Sequence, residues 1–240
     1  MKNFLLFCLI FVVGCTPSTK PNLPVSSPAP SPNLETISYR QQTYSYAYVV
    51  INDFSRLKLL ANHSQKTNSV NLVKLHQCQV LVNGNFYDTN DKPLGWLVSN
   101  GQTLSSEINS KLFNGFLYLF GSKIIISQFK PEFEVEFGLQ SGPLLILDEK
   151  PLKLTINQDQ SRRRIIAAIT PNNQLYFLTF TSAFLADTPE ILIAVSRQIN
   201  QPFLSAINLD GGSASTFYTP QIHLPEYSYI GSFFCYTGSI

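Results

Sequence analysis

The chain has 240 residues, enough for one domain with a substantial core, and 44% of them are hydrophobic. Only 13% are charged, the formal net charge is +2, and no basic stripe runs along any segment, which excludes the electrostatic footprint of a nucleic-acid binder. Plentiful Phe and Tyr with so few charges fit a sheet-rich domain outside the cytoplasm, and aromatics also suit stacking on sugar rings. Lys2 followed by the unbroken apolar run from Phe4 to Val13 predicts a targeting segment, too short for a membrane-spanning helix of about 20 residues. Val12-Val13-Gly14-Cys15 ends that run as a lipobox. Residues 1–14 are therefore expected to be a lipoprotein signal peptide and Cys15 the lipidated N-terminus; an ordinary secretory signal with a chance cysteine is the alternative. Thr16, not Asp, follows, so in a Gram-negative cell the expected location is the outer membrane, facing the periplasm or the outside. Residues 15–35 read as a tether, because Pro17, Pro21, Pro24, Pro28, Pro30 and Pro32 keep it extended, and residues 36–240 are the expected folded domain.

Within that domain, Tyr44 to Ile51 and Leu57 to Ala61 predict an opening hairpin turned at Asn52-Asp53-Phe54-Ser55. Val70, Val73 and Leu75 predict a short helix over Ser69 to Gln77, followed by a strand from Gln79 to Gly84. Leu94 to Ser99 with a turn at Asn100-Gly101 suits a hairpin, and Gly115 to Phe120 with Lys123 to Ser127 forms another around Gly121-Ser122. Leu144 to Leu147, Ile165 to Ile169 and Leu175 to Phe180 continue the strand pattern, the last two joined through Pro171-Asn172-Asn173. Asp187 or Thr188 caps a longer helix, with Pro189 in the first turn, Glu190 complementing the dipole, and Ile191, Leu192, Val195 and Ile199 on one face. It leads into a strand from Leu204 to Leu209. The expected class is α+β: a single domain built on a mixed, strongly curved β-sheet with two main helices.

Of the four cysteines, Cys8 leaves with the signal and Cys15 carries lipid. Cys78 and Cys235 remain, either paired in an oxidising compartment or buried separately, and both readings stand. His63, His76 and His223 have no ligand spacing and no Cys-His set exists, so no metal or cofactor is expected, with Ca²⁺ held by Asp and carbonyl oxygens left open. Neither a Ser-His-Asp order nor a phosphate-loop motif is present.

Two segments carry the functional signal. Val80-Leu81-Val82-Asn83-Gly84-Asn85-Phe86-Tyr87-Asp88 and Ala206-Ile207-Asn208-Leu209-Asp210-Gly211-Gly212-Ser213-Ala214-Ser215 are both apolar runs that stop abruptly in Asn, Gly and an acid. Strand ends followed by glycine turns bring amides and carboxylates to one exposed edge. Asp210 is the first candidate for chemistry, with the amides of Gly211 and Gly212 and the hydroxyls of Ser213 and Ser215 around an anionic group. Each candidate also has a plainer reading: Asp210 caps a glycine turn, Asp88 belongs to the turn Asp88-Thr89-Asn90-Asp91, Ser141-Gly142 is a turn before Pro143, and Arg162 is a solvated charge.

Asn83-Gly84-Asn85-Phe86-Tyr87 resembles the Asn-Gly-Gly-(Phe/Tyr)-Phe stretch of the phosphodiester glycosidase family. Leu209-Asp210-Gly211-Gly212-Ser213 is similar to its Leu-Asp-Gly-Gly-(Gly)-Ser motif, and Gln140-Ser141-Gly142-Pro143 to its Gln-Ser-Gly-Pro strand. The strand from Arg164 to Thr170 resembles its Arg-x-Ala-x-Gly strand, with Arg163 as the other alignment. All four occur in family order and cover most of the chain from about Val80 to Phe217, departing from the pattern at Asn85 and Ala168, where the family has Gly.

The resemblance implies hydrolysis of a sugar-1-phosphodiester at the C1–O bond, releasing a sugar and a phosphomonoester. Under it Asp210 is nucleophile or base, Asp88 its partner, Asn83 an orienting group and Arg164 the phosphate ligand. Gly84, Ser141, Gly142, Asn208, Gly211, Gly212, Ser213 and Ser215 are the implied substrate-binding set, and Asn83, Ser141, Arg164 and Asp210 are expected to line one pocket. The implied partners are a glycan or sugar phosphodiester and, through the lipid, a membrane. The alternative is an envelope polysaccharide-binding or exopolysaccharide-associated lipoprotein that holds a glycan in the same cleft without turnover.

Overall fold

The computed structural model describes residues 34–240; the expected signal peptide, Cys15 and the tether up to residue 33 lie outside the described residues. Glu35–Tyr39 turns back through Arg40 and Gln41, both left-handed, onto Gln42–Ile51. This hairpin starts a seven-stranded sheet that continues through Leu175–Ala183, Arg162–Ile169, Ser205–Asn208, Leu144–Leu147 and Lys150–Pro151. A second, five-stranded sheet runs His223–Leu224, Phe217–Tyr218, Val80–Asn83, Ser232–Tyr236 and Leu57–Ala61. The third runs Gln102–Ser105, Leu97–Ser99, Phe137–Ser141, Gly115–Phe120 and Lys123–Ser127. Every ladder pairing between these strands is antiparallel. With two α-helices, Ser69–His76 and Thr188–Gln198, among the described residues, the α+β class holds, and the sheets curl into a half-barrel.

Alternation along the strands builds the core. Ile165, Ala167 and Ile169 point into the space enclosed by the three sheets, where they meet Val49, Leu59, Val82, Leu139, Phe177 and Phe234. Ile166 and Ala168 point the other way, under the longer helix, against Leu178, Phe180, Ile191, Leu192 and Val195. That helix is held on the sheet by burying Ile191, Leu192 and Val195, each worth about 1.5–3 kcal/mol. Asp187 precedes it with φ −88° and ψ −18°, a helical backbone rather than the extended one of a capping residue, and its carboxylate makes no cap but accepts from Arg40 Nη1 at 3.2 Å. No helix among the described residues is long and apolar enough to cross a membrane.

The expected opening hairpin does not form. Gln42–Ile51 pairs with Glu35–Tyr39 and Leu175–Ala183, while Leu57–Ala61 pairs with Ser232–Tyr236 in the second sheet. Between them Asp53 caps a short 3-10 turn, Phe54–Arg56, and the buried Phe54 and Leu57 carry the chain from one sheet to the next. No glycine stands at Asn52-Asp53-Phe54-Ser55 to make the left-handed turn a tight hairpin needs. Cys78 and Cys235 form a disulfide, packed with Leu72, Leu81, Ile230 and Phe233 beneath the first helix.

Candidate functional site

The two signal segments meet. Val80–Asn83 belongs to the second sheet and Ser205–Asn208 to the first, yet their ends are joined by main chain and side chain. Asp210 N donates to Gly84 O at 3.0 Å, and Asn83 Nδ2 donates to Asp210 O at 2.5 Å. Asn83 Oδ1 accepts from Thr216 N at 2.8 Å, so a single buried amide fixes the chain on both sides of the glycine turn. The end of the third sheet closes on the same point. Ser141 Oγ donates to Asn208 O at 2.7 Å, Asn208 N to Pro143 O at 3.0 Å, and Asn208 Nδ2 to Gly142 O at 3.0 Å.

A cavity of about 440 Å³ opens above this junction. Gly142, Asn208, Asp210, Gly211 and Gly212 line its floor, Phe86, Leu112, Ile156 and Leu185 its apolar walls, and Gln158, Asp159, Gln160, Arg162 and Arg164 its polar side. The glycines serve distinct needs. A Cβ on Gly211 would lie 2.8 Å from Arg163 O, and Gly212 has φ +68°, where other residues are strained.

Asp210 dominates the electrostatics. It is 9% exposed, and burial pushes its carboxyl up to about 7, opposed only by a hydrogen bond from the Gly211 amide. A carboxyl that titrates near neutrality in a cavity can take or give a proton at working pH. Asp159, the other acid on the cavity wall, is fully engaged: Oδ1 accepts from Arg164 Nη2 at 3.2 Å and Oδ2 from Ala186 N at 2.8 Å.

The arginines divide by strand alternation. Arg162 and Arg164 both line the cavity, and Arg163 turns to the opposite face. Arg163 Nη1 donates to Ser215 O at 3.0 Å and Pro225 O at 2.7 Å, with its guanidinium 5.7 Å from the Tyr227 ring centre. Arg164 reaches the expected cavity, but its fork is already occupied. Nε donates to Ala183 O at 2.9 Å and Nη2 to Gln160 O at 2.6 Å as well as to Asp159. A bidentate phosphate contact needs that fork free. Arg162 is exposed on the cavity rim and, among the described residues, bonds only Gln160 Oε1; a Cβ on Gly212 would lie 3.7 Å from its Nη1.

Other expected site residues are placed differently. Asp88 does not line the cavity; its Oδ1 accepts from Asn90 N at 2.8 Å and Lys92 N at 2.9 Å, and these amides hold its carboxyl below the ordinary range. The turn after Tyr87 uses it up locally. Asn83 and Ser141 are fully buried beneath the floor, and neither lines the cavity. Ser215 Oγ donates to Gly212 O at 2.6 Å, and Ser213 is exposed, its hydroxyl accepting from Ser228. Asn85 is buried, its Oδ1 accepting from Ser232 Oγ at 2.5 Å. Sequence reading missed Asp159 and Arg162 as cavity residues. The two-residue spacing of Arg162 and Arg164 signals a shared face, whereas nothing around Asp159 marks it out.

Among the described residues no group of three or more His, Cys, Asp or Glu is placed to hold a metal ion.

Residues 76–233 match the family model for phosphodiester glycosidase (NAGPA). No curated protein matches the sequence. The fold is similar to the catalytic domain of zebrafish N-acetylglucosamine-1-phosphodiester alpha-N-acetylglucosaminidase, a domain auto-inhibited by its pro-peptide. That likeness has a TM-score of 0.65 at 14% identity and covers 86% of this chain and 82% of that one. It is also similar to a hypothetical protein from Synechocystis, with a TM-score of 0.57 at 15% identity over 84% of this chain and 61% of that one. Identities this low speak for the fold alone.

Proposed function

The chain belongs to the phosphodiester glycosidase family, and on that premise we propose that it hydrolyses a sugar-1-phosphodiester at the C1–O bond by a single displacement, with Asp210 as general base. The observation that carries this reading is the buried Asp210 carboxyl, raised to about 7 on the floor of a cavity whose other acid, Asp159, is spent on Arg164 and Ala186 N. One free carboxylate suits one displacement; a covalent route needs a nucleophile and a separate acid–base group.

In the proposed step Asp210 takes a proton from water as the water oxygen attacks C1. The C1–O bond breaks and its electron pair leaves with the phosphate oxygen. The products are a sugar of inverted anomeric configuration and a phosphomonoester. A phosphate leaves as a weak base, so the step needs little general-acid help. Negative charge builds on the departing phosphate beside Arg162, whose guanidinium stands on the cavity rim next to Gly212. Arg164 and Asp159, though on the cavity wall, are bonded to each other and brace the loop that carries Gln158 and Gln160.

The test is to incubate the protein with an N-acetylglucosamine-1-phosphodiester and related wall polymers in ¹⁸O water. Label in the released sugar, with the inverted anomer appearing first by proton NMR, is the expected result. Label in the phosphate would mean P–O cleavage, and a retained anomer would mean a covalent intermediate.

The proposed setting is the cell envelope. Val12-Val13-Gly14-Cys15 supports a signal peptide over residues 1–14 and lipid on Cys15, with the Pro-rich 15–35 stretch spacing the 36–240 domain from the bilayer. Mass spectrometry of the mature protein should find acylated Cys15; a mature form starting elsewhere with that thiol unmodified rules the anchor out.

A further inference from the structure

Asn208 lies two residues before Asp210, so strand alternation brings both side chains to one face, and both line the cavity. Asn208 is 2% exposed. The orientation of its amide follows from chemistry: Gly142 O can only accept, so Nδ2 must face it, at 3.0 Å. Oδ1 is then buried with no partner among the described residues. A buried acceptor without a donor bears the full cost of its desolvation, and native structures rarely leave such a group without a partner. Asn83, Ser141 and Gly142 together hold the strand end that aims it.

We propose that Asn208 is a specificity-determining residue, whose Oδ1 accepts a hydrogen bond from one O–H or N–H on the ring of the sugar bound over Asp210. The inference rests on the phosphodiester glycosidase reading for the presence of a sugar there. Because Oδ1 only accepts, the site favours a sugar with a donor at that ring position and disfavours one with a carboxylate or no polar group in its place. The apolar walls of Phe86, Leu112 and Leu185 thin the water that could substitute for the missing donor.

The experiment uses the full chain, wild type and Asn208→Leu, against a parent sugar-1-phosphodiester and its series lacking one ring donor at a time. Both kcat/KM and calorimetric binding of the free sugars are measured. In the wild type, removal of the donor at one ring position should cost roughly 10- to 100-fold, and at the others far less. In Asn208→Leu the same removal should cost under about twofold, because the acceptor is already gone. The double difference cancels any structural cost of losing the bond to Gly142, and Asn208→Ser serves if the leucine variant does not fold. Even losses at every position in the wild type, or equal losses in both proteins, overturn the inference and leave Asn208 as a strut for Gly142 or a water site. Coupled binding without sugar release sinks the hydrolase reading and keeps the assignment of Asn208. Turnover without coupling does the reverse, and a chain that neither binds nor cleaves any sugar removes both.

Discussion

The two look-alike strand ends differ in what is left over. On the Asn83 side the polar groups are almost wholly consumed by the protein: Asn83 by Asp210 O and Thr216 N, Asn85 Oδ1 by Ser232, Asp88 by Asn90 and Lys92 amides. Asn85 Nδ2 lacks a partner among the described residues, but Asn85 does not line the cavity. On the Asp210 side the backbone is clamped just as firmly, yet among the described residues the Asp210 carboxyl keeps only the Gly211 amide and Asn208 Oδ1 has no partner. Similar sequence patterns thus serve opposite ends. One edge is scaffold, and the other holds polar groups in reserve at a cost to stability, the usual mark of a functional site.

The strongest way to break this comparison is Asp210→Asn. Asn fits the same glycine turn and still accepts from Gly211, so the fold should be kept. Turnover on a sugar-1-phosphodiester should fall by roughly 10²- to 10⁴-fold if the carboxylate moves the proton. Sugar release by both proteins at matched folded fraction is the measurement, and near wild-type rates would move Asp210 to the scaffold side. Asn83→Leu is the counterpart. It keeps the volume but orphans Thr216 N and Asp210 O, so unfolding free energy should drop by roughly 2–6 kcal/mol. Chemical denaturation reads this directly. A variant as stable as the wild type would mean that the amide is not the clamp its bonds make it.

Legibility from sequence followed the range of the signal. The Gly115–Phe120 and Lys123–Ser127 hairpin and the helix from Thr188 were readable because turn residues and periodicity sit within a few positions of each other. The passage from Ile51 to Leu57 was not, since two apolar runs across a short polar link look alike whether they pair or separate into different sheets. At the site, Asp210 and Gly212 were readable through glycine chemistry at a strand end, and the meeting of Asn83 with Asp210 through motif order. Which acids line the cavity was not readable. The turn Asp88-Thr89-Asn90-Asp91 already offered local amides to Asp88, whereas only the fold puts Asp159 on the cavity wall with the Ala186 amide and the Arg164 guanidinium against it.

A pH series sharpens the comparison thermodynamically. Burial raises the Asp210 carboxyl from 3.8 to about 7, so the folded state holds its proton more tightly than the unfolded chain. The stabilisation from that bound proton is complete below about 4 and is lost as pH rises through about 7, on the order of a few kcal/mol. His63 works in the other direction: burial lowers it from 6.5 to about 4, so its contribution is full above 6.5 and is lost as pH falls towards 4. The Asp210→Asn variant removes the first effect and keeps the second. The gap in melting temperature, variant minus wild type, should therefore widen from pH 5 to pH 8. A gap that stays constant would show an Asp210 carboxyl titrating normally, and the general-base proposal would lose its electrostatic footing.

The smallest effect is expected at Asp88, and its smallness is informative. The family resemblance pairs Asp88 with Asp210, whereas its carboxylate accepts from Asn90 and Lys92 amides at the mouth of its own turn, outside the cavity lining. Asn at this position retains an acceptor for both amides, because Asn makes the same side-chain turn. Asp88→Asn should thus leave sugar release within about twofold of wild type, the spread of an ordinary surface substitution. The pH–rate profile should also keep its single rise near 7, since no second carboxylate is being removed from the chemistry. Measured beside Asp210→Asn on one substrate, the two acids should separate by orders of magnitude. If Asp88→Asn instead abolishes turnover at unchanged stability, the Asn83 edge must reach the reacting sugar after all. Its loop would then have to release Asp88 from those amides when substrate binds, and the division into a spent edge and a reserved one would describe only the empty protein.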